Sequence, residues 1–301
     1  MDVSIETFYL YIKRVHTTAT ADKYRKSASI FVSYLRDINV SDFTKIPRNA
    51  LQLFVVSLIE RKYAPASIRL HNAGVQRYLR WCRDQGVSLP YLAKPEPPKV
   101  DFRVRGVLRR DDMILFFSAC NDLLREPTRT AIMMMPTCGL RSNEMAGLRL
   151  DSLQKVSILL KDGTHKTCLS LRVIGKGNKE RFVPLLDEGK EIVSQYLLGW
   201  RRKSGSEWLF PSTHGQVKHI TPHALWIAVA KVRESTGLVM SPHTLRRTYA
   251  TTLWRRGVAD TTVARVLGHA KLDTLYKHYL NMDATDLSAA VQEKGGRLLD
   301  V

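Results

Sequence analysis

The segment Lys94-Pro95-Glu96-Pro97-Pro98-Lys99 divides this chain into two parts that must fold separately. Three prolines in four positions remove backbone donors and fix φ, so neither a helix nor an interior strand continues through them and the chain runs extended. Each flank then needs its own core, and 301 residues are enough for two. Upstream, apolar residues recur at helical spacing in four groups: Ile5, Phe8, Tyr9 and Ile12; Tyr24, Ala28, Phe31 and Leu35; Leu51, Phe54, Val55 and Leu58; Ile68, Val75, Leu79 and Cys82. Four helices are therefore expected within residues 1–93, with turns near 17–20, 39–47 and 62–65. Residues 94–107 read as the linker.

Downstream, from 108 to 301, a larger domain is expected. Arg110–Leu124 and Thr128–Pro136 have a helical pattern, Gly139 interrupts it, and Ser142–Leu148 resumes it. Leu169–Ile174 and Arg181–Leu185 alternate like strands about Gly175-Lys176-Gly177-Asn178-Lys179, which predicts a hairpin. The helical period returns in Glu188–Arg201, His223–Glu234, His243–Arg256 and Thr261–Leu267. The expected fold is mainly α with a small β-sheet (α+β) in the second domain, preceded by a separate all-α N-terminal domain.

Charge narrows the partner. The chain carries a formal net charge of +19, and the excess is spread over both parts: residues 1–99 hold 16 Lys/Arg against 8 Asp/Glu, and residues 100–301 hold 31 against 20. A positive potential over both domains suits a polyanion that both touch. The four cysteines, Cys82, Cys120, Cys138 and Cys168, form no Cys-x-x-Cys pair and read as reduced core thiols. The apolar runs fall short of the roughly eighteen residues a membrane helix needs, and Met1-Asp2-Val3-Ser4 does not begin like a signal peptide, so a cytoplasmic protein is expected. His219 and His223 are four apart, but Pro222 lies between them, and neither His-Glu-x-x-His nor Gly-x-x-x-x-Gly-Lys-Ser/Thr occurs. Neither a metal site nor a nucleotide cofactor is expected.

The chemistry is concentrated late in the chain. Gly139-Leu140-Arg141-Ser142-Asn143-Glu144 is followed by Ser241-Pro242-His243-Thr244-Leu245-Arg246, then by Leu267-Gly268-His269, Tyr276 and Tyr279. A phosphodiester repels nucleophiles by its own charge, and its transition state puts more charge on the phosphate oxygens. Arginine meets that need, because its planar fork binds two oxygens and stays protonated. His243 precedes Arg246 by three residues and so shares its helix face or the lead-in to it.

Three such boxes in this order resemble the tyrosine recombinases, the lambda-integrase family, over Gly139–Leu280. Over residues 1–93 the likeness rests on helix number and position, where the family has a helical (SAM-like) core-binding domain. The resemblance implies that the two domains clamp a DNA duplex and that Arg141 and Arg246 hold the non-bridging oxygens of the scissile phosphate. It further implies that His243 takes the nucleophile's proton or binds phosphate, and that His269 donates to a phosphate oxygen. Glu144 resembles an acid that orients these groups. Lys176 corresponds to the family's hairpin lysine, the general acid for the 5′-oxygen, with Lys179 as the competing candidate; Lys179 and Arg181 are expected near neighbouring phosphates. Tyr279, ten residues after His269, is favoured as the nucleophile, but Tyr276 begins a Tyr276-Lys277-His278 triplet like one frequent in the family and stays open. Tyr249 reads as core. Arg247 stands where the family often has histidine, and Cys138 where a small polar residue is frequent.

The expected activity is site-specific recombination through a 3′-phosphotyrosyl intermediate and a Holliday junction, without metal or other cofactor. The expected partners are double-stranded DNA with inverted-repeat sites and three further protomers, a neighbour receiving the tail that carries Leu287, Ala290 and Val291. A type IB topoisomerase-like enzyme and a non-enzymatic DNA-binding regulator on the same scaffold are the alternatives. The absence of an obvious extra N-terminal domain points to an Xer-like or transposon-associated enzyme.

Overall fold

The computed structural model describes residues 4–99, 106–159, 162–175, 179–213, 218–269, 272 and 275. The chain forms two compact units, Met1–Arg103 and Val104–Val301.

The first unit is helical. Helix α1 (Ile5–Val15) starts where the Ser4 hydroxyl accepts from the Glu6 N–H, and α2 (Thr18–Asp37) where Thr17 Oγ1 accepts from Thr20 N at 3.4 Å. Thr18–Thr20, expected as turn, are thus the first turn of α2. After a short 3₁₀ turn at Phe43–Lys45 come α3 (Ala50–Glu60) and α4 (Pro65–Asp84), which begins on Pro65, where a missing N–H removes no helical bond. Phe8 and Ile12 of α1, Phe31 and Leu35 of α2, Phe54 and Leu58 of α3, and Val75 and Tyr78 of α4 are buried, so the periodic residues are the ones that meet. The proline segment is extended but not suspended: Ala93 N donates to Arg48 O, Glu96 N to Gln52 Oε1, and Arg69 Nε to Pro98 O, and Pro95 is buried. Through Pro98 it belongs to the helical unit.

The second unit contains α5 (Arg110–Leu123), α6 (Thr128–Cys138), α7 (Ser142–Ala146), β1 (Leu153–Leu159), β2 (His165–Ile174), β3 (Glu180–Pro184), α8 (Asp187–Leu198), α9 (Pro222–Thr236), α10 (Pro242–Arg255) and α11 (Asp260–Leu267). Helix α6 is the hub; Ala131, Ile132, Met134 and Met135 are buried, and α8, α9 and α10 pack around it. Its pattern was expected to stop at Pro136, yet the helix runs two residues further, with Gly139 N donating to Met135 O and Gly139 capping it in the left-handed region at φ 62°.

The sheet is antiparallel in the order β1-β2-β3, with Leu153 opposite Leu171 and Leu171 opposite Val183. The hairpin of β2 and β3 was expected; β1 was not. Leu171, Val173 and Val183 are buried and join the sheet to the helical core. Among the described residues no helix is long and apolar enough to cross a membrane.

Candidate active site

The site is built where three chain segments end or begin a helix. Past the left-handed Gly139, Leu140 is buried and Arg141 becomes the N-cap of α7. One turn on, Glu144 folds back: its Oε2 accepts from Arg141 N at 2.8 Å and its Oε1 from Arg141 Nη1 at 2.8 Å, the return half of a capping box. The second segment is α10, started by Ser241 Oγ accepting from Thr244 N and by Pro242 in its first turn. This places His243 and Arg246 one turn apart. The third is the end of α11, where Gly268 caps the helix at φ 68° and delivers His269, whose backbone N–H donates to Ala264 O.

Arg246 ties the three together. Its side chain is wholly buried, with Nη1 donating to Gly139 O at 2.7 Å and Nη2 to Leu267 O at 2.6 Å. Nη2 is also 3.3 Å from His269 Nε2, and Nη1 is 3.6 Å from Glu144 Oε2. Arg141, His243 and Arg246 line one cleft of about 340 Å³. His243 is exposed on it, and Arg141 is half-buried. The structure therefore brings four of the six expected site residues into one cluster. Lys176 and Tyr279, and with them Tyr276, lie outside the described residues.

Glu144 carries the electrostatics. Its side chain is only 8% exposed and faces three guanidiniums, those of Arg141, Arg181 and Arg246. Burial is the largest influence on this carboxyl and would raise it, but hydrogen bonds from Arg181 and the Arg141 backbone, with the charges of both arginines, outweigh burial and hold it below the usual carboxylate range. Arginine does not lose its proton in proteins, so three cations facing one anion leave the cluster positive and receptive to a further anion.

Arg181 is a correction. Expected beside a phosphate, it is instead turned inward at 9% exposure, donating from Nη1 and Nη2 to the two Glu144 oxygens at 3.0 and 2.9 Å and from Nε to Val266 O at 2.8 Å. The reason is strand parity: Arg181 stands two residues before buried Val183 and so shares its inner face. Lys179 is exposed, its carbonyl accepting from Gly175 N at the hairpin base. Tyr249 is core, as expected, with its hydroxyl donating to Pro184 O. Two cleft residues were missed as such, His223 and Trp226, near the start of α9. Their three-residue spacing puts them on one helix face, but only the fold shows which face meets the cleft. Among the described residues no three His, Cys, Asp or Glu side chains gather as a metal site would require. A larger groove of about 1150 Å³ lies on the first unit beside α1, α2 and the loop after α2, and holds none of the expected site residues.

Comparison with known proteins identifies the family. The model of the phage integrase family matches residues 107–285, more than half of the chain. The tyrosine recombinase XerC of Herpetosiphon aurantiacus is 27% identical over 305 residues, covering 97% of this chain and 95% of the relative. The tyrosine recombinase XerD of Pseudomonas aeruginosa is 29% identical over 307 residues, covering 95% of each. A crystal structure of a lambda integrase tetramer bound to a Holliday junction shares the fold, with a TM-score of 0.68 at 16% identity over 94% of this chain and 79% of that one. The chain belongs to the phage integrase family and is a tyrosine recombinase, an enzyme that cleaves and rejoins DNA in site-specific recombination.

Proposed function

We propose that the cleft of Arg141, His243 and Arg246 receives the scissile phosphate and that the reaction runs on side chains alone. The observation that carries this reading is the convergence of these three residues on one cleft, with His269 against Arg246 and the buried Glu144 fixing the arginines. Arg141 and Arg246 neutralise charge on the non-bridging oxygens as it builds in the transition state. The Tyr279 phenol attacks phosphorus, with its proton passing to His243, which is exposed on the cleft. The bond from phosphorus to the 5′-oxygen breaks, that oxygen takes a proton from Lys176, and a 3′-phosphotyrosine remains. His269 donates to a phosphate oxygen.

Exchange follows when the freed 5′-hydroxyl attacks a partner's phosphotyrosine, which passes through a Holliday junction. Four protomers on two duplex sites with inverted repeats carry out this exchange in the cytoplasm. The helical first unit clamps the duplex together with the second, in keeping with the basic excess of both parts.

The test is covalent trapping on a nicked suicide substrate in the presence of EDTA. Wild type should form an adduct, Tyr279→Phe should bind its site without forming one, and Tyr276→Phe should retain it. An adduct that persists in Tyr279→Phe and vanishes in Tyr276→Phe moves the nucleophile to Tyr276, and an absolute need for magnesium in the cleavage step defeats the side-chain mechanism. Lys176→Ala should be slow on an ordinary phosphodiester, by roughly 10²-fold or more, and largely restored on a 5′-bridging phosphorothiolate, whose thiolate leaves without a proton. Rescue of Lys179→Ala in place of Lys176→Ala would assign the acid to Lys179.

A further inference from the structure

We propose that Arg181 is a positioning residue that sets the base of the β2–β3 hairpin, His269 and the phosphate-binding arginines relative to one another. All three nitrogens of its guanidinium are engaged: the two Nη atoms grip both oxygens of Glu144, and Nε donates to Val266 O in the last turn of α11. The side chain also packs closely against two glycines. A Cβ at Gly268 would lie 3.2 Å from Cδ, Nε and Cζ of Arg181, and a Cβ at Gly175 would lie 3.3 Å from its Nη1. Gly268 immediately precedes His269, and Gly175 immediately precedes Lys176.

One side chain therefore touches the backbone beside two of the proposed catalytic residues and shares a carboxylate with two more, Arg141 and Arg246. Lysine cannot replace it. A single ammonium lacks the fork that spans two carboxylate oxygens while a third nitrogen reaches a carbonyl. At 9% exposure, with its donors pointed inward, Arg181 holds the site together from behind and leaves DNA phosphates to other cations. The part of this inference that concerns the hairpin rests on Lys176 being the general acid.

The experiment uses the full chain and single-turnover cleavage at saturating DNA, normalised to the folded fraction measured by circular dichroism. Arg181→Lys should bind DNA with unchanged affinity and salt slope, since it removes no phosphate contact. Its cleavage should fall roughly 10- to 100-fold, the loss expected when catalytic groups shift by about an ångström. Part of that loss should return on a 5′-bridging phosphorothiolate, a recovery that a merely unstable protein would not show. Combined with Glu144→Gln, Arg181→Lys should cost less than the two losses multiplied together, because both act through one contact.

Weaker binding with a shallower salt slope and a normal single-turnover rate would make Arg181 a phosphate contact and overturn the proposal. Equal loss on both substrates, while Lys176→Ala is rescued by sulfur, would overturn its link to the hairpin. If Lys176→Ala is not rescued, the acid assignment is what fails, and Arg181 is then judged by the double variant, where fully multiplicative losses would overturn it.

Discussion

Arg246 Nη2 lies 3.3 Å from Nε2 of His269, which joins the second turn of α10 to the residue just past the glycine cap of α11. A guanidinium has donors and no acceptor, so in this contact Nε2 of the imidazole is the accepting atom. The same guanidinium holds the carbonyls of Gly139 and Leu267, the ends of α6 and α11. The two helix ends that deliver Arg141 and His269 are thus fixed to one buried cation, and the site's geometry and the domain's packing rest on the same hydrogen bonds.

Arg246→Lys should therefore lose stability and activity together. One ammonium cannot serve both carbonyls and His269, and each buried carbonyl left unpaired costs about 1–3 kcal/mol. Single-turnover cleavage should fall by roughly 10²-fold or more, as when a transition-state donor is removed. Urea unfolding of the second unit and suicide-substrate cleavage measure the two effects. A variant that is inactive yet fully as stable as wild type would show that the carbonyl contacts carry little.

Acid should weaken the second unit through Glu144. Its folded-state carboxyl sits below the ordinary value of about 4.3, so over that interval the unfolded chain binds more protons than the folded one. The stabilisation is complete above about pH 4.3 and is lost as pH falls through the lower, folded-state value. Glu144→Gln should be less stable than wild type at neutral pH and should show a flatter acid limb. Urea midpoints at neutral pH and near pH 3.5 test this; an unchanged gap between the two proteins would assign the acid limb to other carboxylates.

Much of this cluster was legible because its boxes resemble those of a known family, and the structure brings the residues in those boxes together. Arg141, His243, Arg246 and His269 could be read from their boxes, and the helices from apolar period. Strand β1 could not, since its residues are mostly exposed and it is held by its backbone ladder to β2. The end of α6 was hidden by Pro136, which stops most helices; here the turn beyond it is secured by Gly139 N and by the Thr137 hydroxyl, both donating to carbonyls of the preceding turn. Arg181 was visible as a cation in a basic hairpin, but whether it faces DNA or Glu144 depends on strand parity, and only buried Val183 two residues on signals the answer.

The thiols should divide three to one. Burial pushes Cys82 up to about 11 and Cys120 and Cys138 to about 12, while Cys168 on β2 is only half-buried. The thiolate is the reactive form, so at neutral pH a thiol-exchange reagent should titrate one cysteine quickly in the native chain and all four after unfolding. Loss of the fast phase in Cys168→Ser would confirm the site, and a fast phase that survives would place it on a residue buried here.

Gly139 should tolerate substitution far less well than another glycine of the same unit with similar backbone. Gly257 has φ 79° and nothing within 4 Å of an added Cβ, so Gly257→Ala meets only the left-handed penalty of about 1–2 kcal/mol. Gly139, at φ 62°, faces that penalty and a collision as well, because its Cβ would lie 2.4 Å from Cδ1 of Tyr249. The Tyr249 ring cannot swing aside easily, being buried with its hydroxyl donating to Pro184 O. Any shift of the glycine instead moves the carbonyl that Arg246 holds. Gly139→Ala should thus be destabilised well beyond Gly257→Ala, by about 1–3 kcal/mol more on overpacking magnitudes, and should cleave DNA slowly even when folded. Tyr249→Phe keeps the ring but frees it from Pro184, so adding it to Gly139→Ala should lower the extra cost. If Gly139→Ala and Gly257→Ala melt alike, the ring yields to the methyl and the tight packing at the end of α6 is not what requires glycine there.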